Sequence, residues 1–353
     1  MNEQLNQINQ TKLLCRESSN KVYFNNKREI DFSFKDIFSF SEHPAAQTIW
    51  KIFKIIAEFF IISFIAITIT FFLINAVPGS NPLTAGLDQA QRKAIEAKYG
   101  LDLPIFSRYV NYLIGLTKLD FGISLSLFPE QPITDWIGPR LLKSFYVGIF
   151  SVLLTVLIGI PMGIWVGKNP GKFIDNASTV IVSLFSSVPS IVFALMLVFI
   201  GRSSGIPYVF NVTNLATYIL PGLALSLGSI IVYIKYIRTE LNRELNSVHA
   251  KFAYLKGVSK SRFVWKHALK PSLFPIATFF PGVIFGSFIG SIFIEQIFFI
   301  PGSGATLLQA IQSKDYNVIL FLIIFFVVLT VLSYACRDLL YEAIDPRVRR
   351  RGA

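Results

Sequence analysis

The chain has 353 residues, of which 53% are hydrophobic and only 15% are charged, and its mean hydropathy is +0.55. This composition excludes an ordinary soluble domain, in which about a quarter of the residues are charged. A formal net charge of +12 suits either nucleic acid or an anionic membrane surface, so the positions of the basic residues must decide between the two.

Residues 1–50 form a polar segment rich in Asn, Gln, Lys and Ser, which we interpret as a cytoplasmic tail. Within it, the run IDFSFKDIFSF brings several aromatic residues close together. Two interpretations stay open here: a short helix lying in the membrane interface, or an unstructured tail with incidental aromatic residues.

Six later stretches are long and apolar enough to cross a bilayer as helices, since about 20 apolar residues are needed. Pro221 makes the fourth stretch the least regular, although membrane helices tolerate proline. We therefore predict an all-α integral membrane protein whose spans are approximately 55–77, 144–167, 177–200, 216–234, 273–294 and 317–336.

The Lys and Arg residues are distributed unevenly between the two sides of these spans. Of the 33 in total, 24 lie in the tail, the 168–176 loop, the 235–272 segment and the C-terminal end, and 9 lie in the other connections, including segment 78–143. Because basic residues concentrate on the cytoplasmic side, both termini are predicted to be cytoplasmic in a cell membrane. Contact with anionic lipid then accounts for the charge, and no nucleic-acid partner is expected.

The predicted spans give little sign of catalysis or of ion coupling. The second to sixth contain no Asp, Glu, His, Lys or Arg, so no proton relay is visible. The chain has no phosphate-binding loop, no catalytic triad and no metal-binding spacing, and its cysteines, Cys15 and Cys336, stand alone. We expect a non-enzymatic chain without catalytic residues, metal or cofactor; if transport is driven by ATP, partner subunits bind it.

Small residues recur in the fifth span, where Gly282, Gly286 and Gly290 follow one another at intervals of four. This pattern lets helix backbones approach closely. It fits a pore-lining or partner-facing helix and ordinary internal packing equally well.

The basic segment 235–272 between the fourth and fifth spans is predicted to form a helix, a glycine turn at Gly257 and a second helix. Hydrophobic positions of the second helix are expected to face a groove in a partner protein. These positions are Phe263, Val264, Ala268 and Leu269.

This segment resembles the coupling loop of inner-membrane permease subunits of binding-protein-dependent ABC importers, in particular the oligopeptide/dipeptide permease family. Ala253, Gly257 and the triplet HAL ending at Leu269 match the family's coupling motif. Lys251 stands where the family has an acidic residue, Phe252 replaces an alanine, and Pro271 comes one residue late.

Four other runs in the right order support the resemblance, which covers residues 51–350. KYGLDLPIFSRYVNYLIGLTKLDFGISLS and DLLYEAIDPRVR are similar to the family's external and C-terminal segments. FFLINAVPGSNPL is similar to the exit from its first span. The stretch after the fifth span carries matching residues at Glu295, Phe298, Pro301, Gly302, Gly304, Asp315 and Tyr316.

Two features of that last stretch, the run PGSG and Glu295, can also be interpreted from their chemistry alone. The glycines and proline of PGSG favour a tight turn, because a phosphate-binding loop would lie on the cytoplasmic side. For Glu295 we prefer an interfacial charge over a substrate contact.

The resemblance implies a type I importer permease fold and half of a translocation pore for oligopeptides or dipeptides. It also implies a second homologous permease, two ATP-binding subunits, an external substrate-binding protein and a peptide substrate. The residues it assigns to ATPase coupling are Ala253, Lys256, Gly257, His267 and Leu269. Two alternatives remain: a related permease for another cargo, such as nickel or a sugar-peptide conjugate, and a non-transporting membrane scaffold.

Overall fold

The computed structural model describes residues 44–76, 88–98, 100 and 102–344. The chain divides into two units, Met1–Lys54 and Ile55–Ala353. The described part of the first unit is the start of a helix, and the rest of the fold belongs to the second unit. The predicted interfacial helix, the exit from the first span and the end of the C-terminal run lie outside the described residues.

The described residues are almost entirely helical, as the composition and periodicity predicted, and contain only one isolated β-bridge, between Ile123 and Pro132. The helices, numbered here in chain order, are α1 Pro44–Ala76, α2 Gln89–Lys98, α3 Ile105–Thr117, α4 Ile133–Gly167, α5 Phe173–Ser187, α6 Ser190–Ser204, α7 Ile219–Leu245, α8 Val248–Leu255, α9 Lys260–Ile289, α10 Ile292–Ile297, α11 Ser303–Gln312 and α12 Tyr316–Ile344.

Among the described residues, five helices are long and apolar enough to span a membrane, and a sixth span results if α5 and α6 are counted together. The axes of α5 and α6 differ by 95°. The break follows from Pro189, because the residue before a proline avoids the helical conformation. Val188 accordingly is extended, with φ −82° and ψ 121°. The predicted third span is therefore a sharply broken pair of helices.

Several helices extend past the predicted spans, because hydropathy detects the apolar part of a helix and not its ends. α4 begins at Ile133, eleven residues before the prediction, in a stretch that includes Asp135, Arg140 and Lys143. Pro221 lies in the first turn of α7, where its missing N–H has no helical partner to lose.

Two π-helical segments interrupt the long helices, at Thr155–Gly159 in α4 and Val264–Ala268 in α9. Each contains the residue four positions before a proline, Pro161 or Pro271. A proline ring would clash with that carbonyl in a regular helix, and the wider π turn relieves the clash.

Helix α9 occupies a central position, packing against α12, α4 and α7, while α4 also packs along α7. Helix α6 packs against α7 and α10. The α7–α9 connection lies on the Lys- and Arg-rich side of the spans, and the segments around α10 and α11 lie at their opposite ends.

Candidate functional site

The connection between α7 and α9 is a short, firmly capped helix, α8. The Ser247 hydroxyl accepts a hydrogen bond from the Ala250 N–H at 3.2 Å, which satisfies one free donor at the start of the helix. Gly257 follows the other end in the left-handed conformation, with φ +81°. This confirms the predicted helix and glycine turn.

The turn at Gly257 is a Schellman motif. The Gly257 N–H donates to the Tyr254 carbonyl at 2.9 Å, and the Val258 N–H donates to the Ala253 carbonyl at 3.0 Å. Ala253 and Val258 also pack against a buried apolar cluster that includes Phe263 of α9 and Ile237 of α7. The next helix starts two residues later, at the Ser259 cap, so the turn fixes the direction in which α8 meets α9.

The inner side of this connection is buried within the chain itself. Phe263, Val264 and Ala268 are almost fully buried, in a cluster with Ala250 and with Ile237 and other residues of α7. The prediction that these three residues face a partner groove was therefore wrong. They anchor α8 and the start of α9 to α7, and Leu269 packs against the same cluster.

The outward side of α8 carries an exposed apolar stripe that sequence reasoning missed. Val248, Phe252 and Leu255 are 68%, 61% and 83% exposed. Their i, i+4, i+7 spacing places them on one helix face, and this spacing was the available signal. We call these three residues the α8 stripe. Exposed Lys251 and Lys256 belong to the same short helix and its cap.

The five residues assigned to coupling by resemblance divide into two groups. Lys256, Gly257 and His267 are at the surface, and the His267 ring stacks on Phe263 with centroids 5.6 Å apart. Ala253 and Leu269 are partly buried against the cluster beneath α8. The structure thus brings all five into one segment, but only the first three face outward.

The three glycines of the fifth span occupy different environments. A Cβ atom at Gly282 or Gly286 would meet no atom within 4 Å, so neither glycine is needed for close packing within the described chain. Gly290 follows the last residue of α9 and has φ +68°. A Cβ there would overlap the Glu295 carboxylate.

Glu295 is buried, with 3% exposure, and ties three segments together. One carboxylate oxygen accepts from the Ser144 hydroxyl of α4 at 2.6 Å, and the other accepts from the Ala305 N–H in the first turn of α11 at 2.7 Å. Gly302 leaves room for this contact. The preferred expectation of an interfacial charge was therefore wrong.

Burial has an electrostatic consequence for Glu295, which lies in α10, outside the helices that qualify as spans. Loss of solvation raises the pKa of Glu295 to about 7, although the hydrogen bonds from Ser144 and Ala305 oppose this shift. The tight turn predicted for PGSG is confirmed just downstream, where the Gly302 N–H donates to the Ile300 carbonyl at 2.8 Å.

A second buried carboxylate, Asp315, precedes α12 and is 0% exposed. Its carboxylate accepts a hydrogen bond from the Ser124 hydroxyl. It also accepts hydrogen bonds from the backbone N–H groups of Leu125, Ser126 and Leu127, at distances of 2.9–3.1 Å. It therefore closes the loop before α4 onto the start of α12. The external run and the run after the fifth span, both noted in the sequence, meet at this carboxylate.

A third long-range pair lies on the Lys- and Arg-rich side. Asp175 in the first turn of α5 is 5% exposed and accepts from Arg238 Nε of α7 at 2.5 Å. Its other oxygen accepts from the Gly171 N–H at 2.9 Å. This pair fixes the start of α5 against α7, close to α8 in the chain.

Comparison with known proteins agrees with this architecture. A family model described as "Binding-protein-dependent transport system inner membrane component" matches residues 159–350. This range includes α5 to α12 and therefore the whole α8 connection.

Curated relatives are similar over most of the chain. The dipeptide transport system permease protein DppB of Lactococcus lactis subsp. cremoris is 31% identical over 290 residues, which are 81% of this chain and 94% of that protein. The oligopeptide transport system permease protein OppB of Haemophilus influenzae is 33% identical, covering 84% of this chain and 98% of its own length. OppB of Salmonella typhimurium is 33% identical, with 81% and 94% covered.

Proposed function

We propose that this chain, which belongs to the family of binding-protein-dependent transport system inner membrane components, forms half of the translocation pore of an ATP-driven importer of oligopeptides or dipeptides. The peptide cargo is inferred from the names of the relatives, which are dipeptide and oligopeptide permeases. Their similarity extends over most of the chain and favours this cargo over nickel or a sugar-peptide conjugate.

The observation that carries the proposal is the α8 stripe. Three exposed apolar side chains on a short helix are unfavourable in water, and such a patch is typical of a protein interface. The helix cannot turn them inward, because its other face is fixed by the buried cluster and by the Schellman turn. We infer that an apolar groove of an ATP-binding subunit covers the α8 stripe.

The orientation of the chain supports the same assignment. The segment containing α8 is among the basic connections, which favour the cytoplasm, where ATP is available. Both termini are then cytoplasmic. ATP itself is bound by the partner subunits, because this sequence has no phosphate-binding loop. The chain would therefore have no enzymatic activity or cofactor of its own.

The remaining partners follow from the architecture of such an importer. We propose a second homologous permease that completes the pore, two ATP-binding subunits, and an external binding protein that delivers peptide. The wide apolar surfaces of the spanning helices contact membrane lipid and the second permease. Nucleic acid has no part in this assignment.

We infer that the chain works by transmitting a displacement of α8 to the membrane-spanning helices. Closure of the ATP-binding subunits would displace α8, and the cluster around Phe263 and Ile237 would transmit the displacement to α9 and α7, because close-packed elements move as rigid bodies. Both helices qualify as spans, so the displacement reaches the membrane-embedded part of the protein. Ala253, Lys256, Gly257, His267 and Leu269 would dock or brace α8 and take no part in catalysis.

The test is to isolate the complex with a tag on this chain in mild detergent and to identify the co-purifying proteins by mass spectrometry. We expect a second permease and ATP-binding subunits with phosphate-binding loops. The complex, reconstituted in liposomes with the binding protein, should take up labelled di- or tripeptide only with ATP. Recovery of this chain alone in a stable, monodisperse form, without ATP-dependent uptake, would contradict the proposal.

A further inference from the structure

A polar pocket lies at the ends of the spans that are opposite to α8. Its volume is about 330 Å³, and its walls come from the end of α1, one face of α3, the 120–125 segment and the start of α12. The polar residues in these walls that bear on its chemistry are Asn75, Arg108, Asn111, Tyr112, Asp120 and Tyr316. The pocket is separate from the α8 stripe and from the Glu295 cluster, and it adjoins the Asp315 cluster through Leu125.

Arg108 is the cation of this pocket. Its side chain is half-buried, and within the described part of the chain it has no ion pair, side-chain hydrogen bond or ring contact. Burial lowers the pKa of Arg108, but a guanidinium group stays charged at neutral pH. A desolvated, unpaired guanidinium is costly, and an anion that pairs with it removes much of that cost.

Two hydroxyl groups in the pocket walls are also without partners. The hydroxyls of Tyr112 and Tyr316 are buried, and neither has a hydrogen-bond partner among the described residues. Tyr112 is four residues after Arg108 on α3, so both lie on the same helix face. Burial raises the pKa of Tyr112, which keeps this hydroxyl protonated and able to donate at neutral pH.

The other polar groups of the pocket are partly occupied. The Asp120 carboxylate accepts from the Gly122 N–H at 2.9 Å, and the Asn75 amide donates to the Phe71 carbonyl at 2.8 Å. One guanidinium with neutral donors suits a monoanion, and Asp120 disfavours a dianion such as phosphate. A guanidinium matches a carboxylate in shape, because two parallel N–H groups can meet its two oxygens.

We propose that this pocket binds a carboxylate group, which Arg108 receives as an ion pair, and that the buried hydroxyls of Tyr112 and Tyr316 turn toward it on binding and donate hydrogen bonds. The inference rests on the proposed function, because an importer of peptides meets carboxylates on this side from two sources. One is the C-terminus of the peptide, and the other is an acidic side chain of the external binding protein. The chemistry of the site is the same in both cases.

The experiment uses the whole complex in lipid nanodiscs, with wild-type chain, Arg108→Gln, or Arg92→Gln as the matched control. Arg92 is in the same segment, is exposed, and pairs with Glu96 on α2 away from the pocket. One arm titrates trialanine and trialanine amide without the binding protein. The other arm titrates the peptide-loaded binding protein.

If the peptide supplies the carboxylate, wild type binds trialanine about tenfold more tightly than its amide, and Arg108→Gln abolishes this preference. If the binding protein supplies it, Arg108→Gln weakens binding of that protein about tenfold, with no preference between acid and amide. Equal binding by Arg108→Gln, Arg92→Gln and wild type in both arms would overturn the carboxylate site.

Tyr112→Phe provides a second test that does not depend on how Arg108→Gln folds. Removing an unpaired buried hydroxyl should leave the melting temperature of the ligand-free complex unchanged or higher, while the affected affinity falls about three- to tenfold. A lower melting temperature with unchanged affinity would count against the site. Uptake of labelled trialanine by the wild-type complex separates the two proposals. If the wild type takes up no peptide, the proposed importer function is contradicted. If the wild type takes up peptide but Arg108→Gln binds both ligands as the wild type does, only the carboxylate site is contradicted.

Discussion

Replacing Gly257 by valine isolates the role of the turn between α8 and α9. A Cβ atom at this position meets no other atom within 4 Å, so the substitution causes no clash. The cost arises from the backbone alone, because φ is +81° and an L-residue in the left-handed region loses about 1–2 kcal/mol, with more for a β-branched residue.

The strain can be relieved only by changing the turn, which would break the two Schellman hydrogen bonds from Gly257 and Val258. We expect α8 then to lose its fixed direction while the buried cluster around Phe263 keeps the fold intact. A change of 1–2 kcal/mol corresponds to a factor of about 5–30 in an equilibrium constant. We therefore expect the peptide uptake per ATP hydrolysed to decrease by a factor in that range. In Gly257→Asn the uptake per ATP hydrolysed should decrease less, because asparagine tolerates the left-handed conformation.

The assay measures labelled peptide uptake and phosphate release in the same proteoliposomes and reports their ratio. Gly138→Val is the matched control, because Gly138 lies within helix α4 and its Cβ would also meet no atom within 4 Å. That variant should keep the wild-type ratio. An unchanged ratio in Gly257→Val, or an equal loss in Gly138→Val, would refute the role assigned to the turn.

Three further predictions concern the α8 stripe and the two buried carboxylates. Phe252→Ala should weaken binding of the ATP-binding subunits in subunit titrations by about 1–2 kcal/mol, whereas Phe106→Ala should not, although Phe106 on α3 is similarly exposed at 67%. Asp315→Ala leaves several donors unpaired and should lower stability in thermal denaturation by about 3 kcal/mol or more, while exposed Asp338→Ala should have little effect; equal losses would contradict this. The raised pKa of Glu295 means that the folded state binds more protons between pH 4.5 and about 7, so stability should fall across this window by about 3 kcal/mol and stay constant above it. A pH profile unchanged in Glu295→Gln would contradict that assignment.

Hydropathy predicted the helical class and the number of spans, because it depends on composition averaged over many residues. Helix ends were harder to predict. Polar residues at the start of α4 lowered the local hydropathy while the helix continued through them. Pro189 explains why the helix breaks between α5 and α6, but the 95° angle between them depends on what each helix packs against.

At the site, the sequence predicted the turn at Gly257, since a glycine between two helical patterns is a local signal. It did not predict which side of the connection faces outward, because Phe263 and Phe252 are both hydrophobic residues on short helices. Only the packing of α7 decides that Phe263 is buried and Phe252 exposed. The contacts Glu295–Ser144 and Asp315–Ser124 join residues 151 and 191 positions apart, and one sequence carries no signal for such pairs.

The two ends of α9 are held by different forces, and this bears on how motion would pass along it. At its start, the contacts with α7 and α8 are apolar, and their energy does not depend on direction. At its end, Gly290 lies directly against the Glu295 carboxylate, whose hydrogen bonds to α4 and α11 are short and directional. When α8 is displaced, the apolar cluster at the start of α9 can therefore slide, whereas the Glu295 carboxylate at the end of α9 cannot move without losing its hydrogen bonds. We expect α9 to pivot about the Glu295 end, so that spin-label distances change more at Lys270 than at Ile289.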